Sequence, residues 1–266
     1  MKISFVGGGA MAEAILGGIL EAEIAGAEDI RVGEPVEPRR EYLEGKYGVA
    51  CHGANAGVLG GADIVMLSVK PQNLADVMSE LGGSLGSGQT AVSIIAGARL
   101  STLSVGLEHE AVIRVMPNTP SQIGAGMSVW TASPGVPGGA IDATRRILGP
   151  LGEELYVEDE KFIDMATALS ASGPAYVFLF IEALIDAGVY LGMPREMASQ
   201  LALQTVAGST QLVRESGRHP AELANMVTSP GGTTAEALLT LEQGAFKGVV
   251  IEAVAAAYEK SKALGG

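Results

Sequence analysis

The sequence predicts an α/β chain in two parts: a doubly wound parallel sheet over residues 1–159, then an all-helical region over 160–266. Three observations predict it. A short apolar run, Ile3-Ser4-Phe5-Val6, ends in Gly7-Gly8-Gly9 and passes into helical sequence from Ala10 to about Leu20. Further apolar runs alternate with helical or turn sequence, as strands covered on both faces by helices do. Past Asp159 no convincing strand remains.

Taken in order, Asp29–Val32 reads as a second strand, Glu37–Tyr47 as a charged surface helix and Val49-Ala50-Cys51 as a third strand. Asp63–Val69 is almost unbroken apolar sequence, the pattern of a fully buried strand. Thr90–Ala96 and Ala111–Met116 repeat it, and Met127–Thr131 and Leu155–Val157 flank a helix near Ala140–Leu148. From Lys161 on, helical segments are separated by breaks at 172–174, 192–194, 217–220, 229–232 and Gly244. Ala175–Leu191 and Lys247–Tyr258 are apolar most of the way round, so neighbours or a second copy of the chain must cover them.

Composition excludes several classes of function. Seventeen basic against thirty acidic residues leave a net charge of −13, which repels phosphate backbones and anionic lipid, so neither nucleic acid nor membrane is expected as a partner. Glu182 and Asp186 interrupt the most apolar stretch, and no bilayer span is expected. MKISFVGGG lacks a long apolar run and a cleavage site, so it does not read as a signal peptide. Cys51 has no partner for an intrachain disulfide, which suits a reducing cytoplasm. His52, His109 and His219 are scattered, read as surface or loop residues, and give no metal site with a lone cysteine. The 37 glycines, about twice the usual share, signal tight turns and close backbone approaches.

Gly7-Gly8-Gly9-Ala10-Met11-Ala12 fits the G-x-G-x-x-A pattern of a Rossmann-like dinucleotide site, directly after a strand and at a helix start. Gly7 allows the turn, Gly9 lets a pyrophosphate approach, and Ala12 allows close helix–strand packing. Glu34, at the end of the second strand, can accept from an adenosine ribose and would repel a 2′-phosphate, whereas Arg39 and Arg40 could recruit one. NADH and NADPH both stay open.

No nucleophile elbow, P-loop or metal spacing is present, which leaves hydride transfer to an activated acceptor such as a protonated imine. In Met226–Glu236, a Pro-Gly-Gly turn opens a helix and leaves amide donors at its start. Thr233 and Glu236 fit a capping box, which would make this a well-capped helix and no more. Alternatively it is an anion pocket for a substrate carboxylate.

Together these motifs resemble the pyrroline-5-carboxylate reductase family over almost the whole chain. They are the GGGAMA loop, Val69-Lys70-Pro71-Gln72, Arg114–Pro120, Ser172–Tyr176, His219–Leu223 and the VTSPGGTT segment, the last being the family's signature. The resemblance implies NAD(P)H-dependent reduction of 1-pyrroline-5-carboxylate to L-proline. It implies that Ser229, Gly231, Gly232 and Thr233 hold the carboxylate and that Thr234, the catalytic candidate, hydrogen-bonds the ring nitrogen. Coenzyme contacts would come from Gly7 to Ala12, from Asn55, Val69, Lys70, Pro71, Ala96 and Gly97, and from Asn118 near the nicotinamide; many members of the family place a small polar residue where this chain has Glu34. The family's helical domain forms interlocked dimers, often assembled into decamers. A reductase of another cyclic imine or a β-hydroxyacid dehydrogenase is the alternative. The latter usually has a lysine on the first long helix after the sheet, where nothing follows Lys161 up to Ser172.

Overall fold

All four residues of β1 (Ile3–Val6) are buried, so both faces of the strand are covered and it must lie inside the sheet. A computed structural model of the chain describes residues 1–265. β1 is followed by α1 (Ala10–Glu21), β2 (Ile30–Gly33), α2 (Glu37–Tyr47), β3 (Ala50–His52), β4 (Ile64–Leu67), α3 (Leu74–Leu81), β5 (Thr90–Ser93), α4 (Leu100–Leu107), β6 (Val112–Met116), β7 (Gly126–Ala132), α5 (Gly138–Leu148) and β8 (Gly152–Tyr156). The strands form one sheet in the order β3-β2-β1-β4-β5-β6-β7-β8. β1 pairs in parallel with both β2 and β4, so the chain reverses its winding there and opens a crevice at the strands' C-terminal ends. Beyond β6 the direction changes: β7 is antiparallel to β6, and β8 is parallel to β7.

The helical chain continues as α6 (Lys161–Ala166), a π-helical turn over Thr167–Ala171, α7 (Gly173–Tyr190), α8 (Arg195–Ser216), α9 (Pro220–Met226), α10 (Thr233–Gln243) and α11 (Phe246–Leu264). By compactness the chain divides into Met1–Ser172 with the segment from Ala257 onward, and Gly173–Ala256. The sequence reading divides it at 159/160, where strands end. The difference has a cause in Arg114, on β6 and 1% exposed. Its guanidinium donates to Glu160 at 2.8 Å and to Asp164 at 2.7 Å, and the Ser261 hydroxyl lies 3.5 Å from the same Asp164 oxygen. This buried ion cluster fastens α6 and the end of α11 to the sheet.

Within Gly173–Ala256, α7 and α8 approach closely through small residues; a Cβ on Gly188 would lie 2.7 Å from that of Ala198. Ala198 and Ala202 are the only buried hydrophobic residues of this unit, while Phe178, Leu179, Tyr190, Leu191 and Ile251 are exposed. The sequence reading excludes a bilayer span because of Glu182 and Asp186. The structure shows Lys161–Tyr190 as one continuous 30-residue helical stretch containing an 18-residue window of mean hydropathy 1.6, which by length and composition alone is enough to cross a membrane.

Candidate functional site

The glycine loop is built by contacts that exclude side chains. Gly7 has φ +96°, and its missing Cβ would lie 2.9 Å from Val69 Cγ1. Its N–H donates to Gly33 O at 2.8 Å, and the Ser68 hydroxyl donates to Gly7 O at 2.7 Å, so the ends of β1, β2 and β4 are laced together. At Gly8 a Cβ would lie 2.8 Å from Leu43 Cδ1. Gly9 differs: nothing lies within 4 Å of its Cβ position. It is the N-cap of α1 and makes no side-chain cap, while Ala12 is 2% exposed and packs inward. An open glycine face beside uncapped helix amides fits a dinucleotide pyrophosphate. Ala10 and Met11 form the first turn beside it.

Glu34 is 9% exposed. Its carboxylate accepts from Gly8 N–H and from Val36 N–H, each at 2.9 Å, which braces the loop. Arg39 donates to Gly8 O at 2.6 Å and to Glu13 at 2.6 Å, and Arg40 donates to the carbonyls of Glu34 and Pro35, both at 2.9 Å. Glu13, in the first turn of α1, also accepts from Tyr42, Lys46 and Tyr47, each at 2.9 Å. Burial alone would push the Glu13 carboxyl up, but hydrogen bonds from Lys46, Arg39, Tyr47 and Tyr42 outweigh it and hold the group at about 2.

The structure places the other expected coenzyme residues mostly at the strand ends. Asn55 follows β3 and is held by Glu80 of α3, which accepts from its side chain at 2.7 Å. Its Oδ1 would lie 2.8 Å from a Cβ on Gly33. Val69 backs the glycine loop, and Lys70 caps the 3₁₀ turn that starts at Pro71. Ala96 is half-buried, but Gly97 is buried and a Cβ there would lie 2.8 Å from Leu264 Cβ, so the end of α11 occupies that side. Asn118, after β6, accepts from Met127 N–H at 2.9 Å and donates to Ser170 in the π turn at 3.3 Å. Its amide thus joins β7 to the π turn, a kind of helix distortion common at functional sites.

The loop before α10 differs from the expected capping box. The N-cap is Gly232, and no side chain caps the helix, so Thr233 is the first helical residue and Glu236 falls one position too late for a reciprocal cap. Gly231 has φ +66°, a left-handed conformation that turns the chain. The Ser229 hydroxyl lies directly over the Gly232 Cα, where a side chain would stand, and Gly232 N–H donates to Ser229 O at 3.0 Å. The first-turn amides of α10 therefore have no side-chain acceptor supplied by a cap. Thr234 is half-buried and Thr233 exposed.

Two groups were not singled out from sequence. Glu13 falls four residues after Gly9, a first-turn acid whose four partners come from α2. Arg114 lies in the RVMPNTP motif, but nothing local marks it as buried. Of the histidines, His109 lies in the loop between α4 and β6, as a loop reading has it, but is buried there, with its Nε2 2.8 Å from Gln89 O. Burial, and next the Glu44 charge, push the Cys51 thiol up to about 11, so it stays protonated. Among the described residues no cluster of three or more His, Cys, Asp or Glu could hold a metal.

Strand order, glycine loop and acid-terminated second strand define a dinucleotide-dependent oxidoreductase fold. Residues 2–97 match the family described as NADP oxidoreductase, coenzyme F420-dependent, and residues 160–264 match pyrroline-5-carboxylate reductase dimerisation. The chain is 41% identical to a pyrroline-5-carboxylate reductase of a Synechocystis species, over all of this chain and 98% of that one. A Plasmodium falciparum pyrroline carboxylate reductase structure with NADP bound superposes with TM-score 0.91 at 35% identity, covering 100% of this chain and 98% of the other. One from Coxiella burnetii gives 0.90 at 33%, with coverage of 100% and 98%. The chain belongs to the pyrroline-5-carboxylate reductase family.

Proposed function

We propose that the protein reduces 1-pyrroline-5-carboxylate to L-proline, the last step of proline biosynthesis, with NADPH or NADH. The carrying observation is the loop before α10. Gly231 and Gly232 keep side chains away, Ser229 folds over the turn, and the first-turn amides are left to an outside acceptor. A carboxylate fits those donors and the positive end of the helix. In this reading Ser229, Gly231, Gly232 and Thr233 hold the substrate carboxylate. Thr234 hydrogen-bonds the ring nitrogen and keeps the C=N carbon in place. A bound reduced coenzyme would supply the hydride to that carbon, with the proton carried on the ring nitrogen that Thr234 holds.

Coenzyme contacts run from Gly7 to Ala12 and include Glu34, Asn55, Val69, Lys70, Pro71, Ala96, Gly97 and Asn118. The region from 160 on serves substrate binding and dimerisation, with assembly into decamers as a further stage. The enzyme works in the cytoplasm. Steady-state oxidation of reduced coenzyme with pyrroline-5-carboxylate tests the reading. Thr234→Ala lowers kcat by roughly tenfold or more, the loss expected for one catalytic hydrogen bond, with coenzyme Kd unchanged. An unaltered kcat removes Thr234 from the mechanism.

A further inference from the structure

The geometry points to Glu34 as a coenzyme-selecting residue that excludes a 2′-phosphate and makes this chain an NADH-preferring member of its family. The inference rests on the dinucleotide reading of the glycine loop. It turns on how the charges around the end of β2 are already committed.

Glu34 cannot swing away cheaply. One oxygen accepts from Gly8 N–H and the other from Val36 N–H, both at 2.9 Å, and the group is 9% exposed. A carboxylate oxygen has room for a second donor, so the two amide bonds leave acceptor sites for ribose hydroxyls. They leave no donor for a phosphate. A dianionic phosphate brought to this point would face a fixed anion, and displacing that anion would strand the Gly8 amide beneath the loop.

The cations that could offset this are engaged elsewhere. Arg39 is paired with Glu13 at 2.6 Å, bonded to the carbonyls of Gly8 at 2.6 Å and Gly9 at 3.4 Å, and stacked 5.0 Å over the Tyr42 ring. Lys46 is likewise paired with Glu13, at 2.9 Å. Arg40 is hooked back onto the carbonyls of Glu34 and Pro35. Both guanidiniums keep donors that these contacts do not use, but the Arg39 charge is already matched by Glu13, so a phosphate would share that cation with a carboxylate and still face Glu34, whereas a ribose hydroxyl needs no cation.

The test needs no turnover. Isothermal titration calorimetry of the wild-type protein with ADP-ribose and with 2′-phospho-ADP-ribose reads the adenosine end alone. Wild type is expected to bind ADP-ribose at least tenfold more tightly. Glu34→Ser removes the anion, and the ratio of the two affinities is expected to move toward the phosphorylated ligand by tenfold or more. The ratio matters because loss of the Gly8 brace weakens both ligands alike. Arg40→Ala is expected to leave the ratio unchanged. Equal or tighter wild-type binding of 2′-phospho-ADP-ribose overturns the inference. So does a Glu34→Ser variant that scales both affinities by one factor, or an Arg40→Ala variant that selectively loses the phosphorylated ligand. If wild type binds neither ligand, the dinucleotide reading itself fails; if it binds both equally, only the selection does.

Discussion

Glu13→Gln tests the hub that fastens α2 to the glycine loop. The carboxylate accepts from Arg39, Tyr42, Lys46 and Tyr47 and is held at about 2 against an ordinary value of 4.5. That separation corresponds to at most about 3.4 kcal/mol, at 1.36 per pH unit. Lys46 is 48% exposed and Arg39 26%, so water and salt screen the pairs, and about 1–2 kcal/mol is the expected net contribution. Because the folded-state value is depressed, this stability is present in full above about pH 4.5 and is lost as pH falls toward 2. Glutamine keeps the shape but not the charge, so the variant should be less stable near neutrality and converge with wild type in acid. Urea unfolding at several pH values, followed by circular dichroism, measures this. A destabilisation that stays constant from pH 7 to pH 3, or none at pH 7, would refute the reasoning. The same substitution frees Arg39 from its anion, which predicts a smaller preference for ADP-ribose over its 2′-phosphorylated form.

Arg114→Met leaves Asp164 without its guanidinium in a site where Arg114 is 1% exposed, and should destabilise the protein by about 3–5 kcal/mol in the same unfolding assay. A change below about 1 kcal/mol would mean that water already satisfies the carboxylate. Gly232→Ala places a methyl group against the Ser229 hydroxyl and should raise KM for pyrroline-5-carboxylate while coenzyme Kd, measured by fluorescence titration, stays put. Leu179→Glu puts a charge on the uncovered face of α7, where Leu179 is 67% exposed, and should lower the assembly's mass in analytical ultracentrifugation. An unchanged mass would locate the interface elsewhere.

Much of the sheet was legible because its strands are buried on both faces and so write continuous apolar runs; Ile64–Leu67 is the plainest. Strand direction carries no such signature. The reversal at β7 depends on the turn through Asn118–Gly124, whose 3₁₀ geometry no apolar period reports. The short helices α3 and α4, eight residues each, give too few turns for a periodic pattern to show. The capping box failed by one residue because Gly232, with no side chain to offer, took the N-cap position that Thr233 was expected to fill. Glu34 was found from its place after β2, but its role in bracing Gly8 is a contact across 26 positions, invisible to local spacing.

The helical half poses a different problem. A unit from Gly173 to Ala256 with two buried hydrophobic residues cannot repay the entropy of ordering its own chain. Its apolar residues are not misplaced, since they run along α7, α10 and α11 at positions where helical sequence would normally predict a core. The pattern is therefore complete only in an assembly, and a second copy supplies the same pattern at no further informational expense. That accounts for helices that read as apolar most of the way round, and for the 30-residue stretch that passes as a bilayer span by composition.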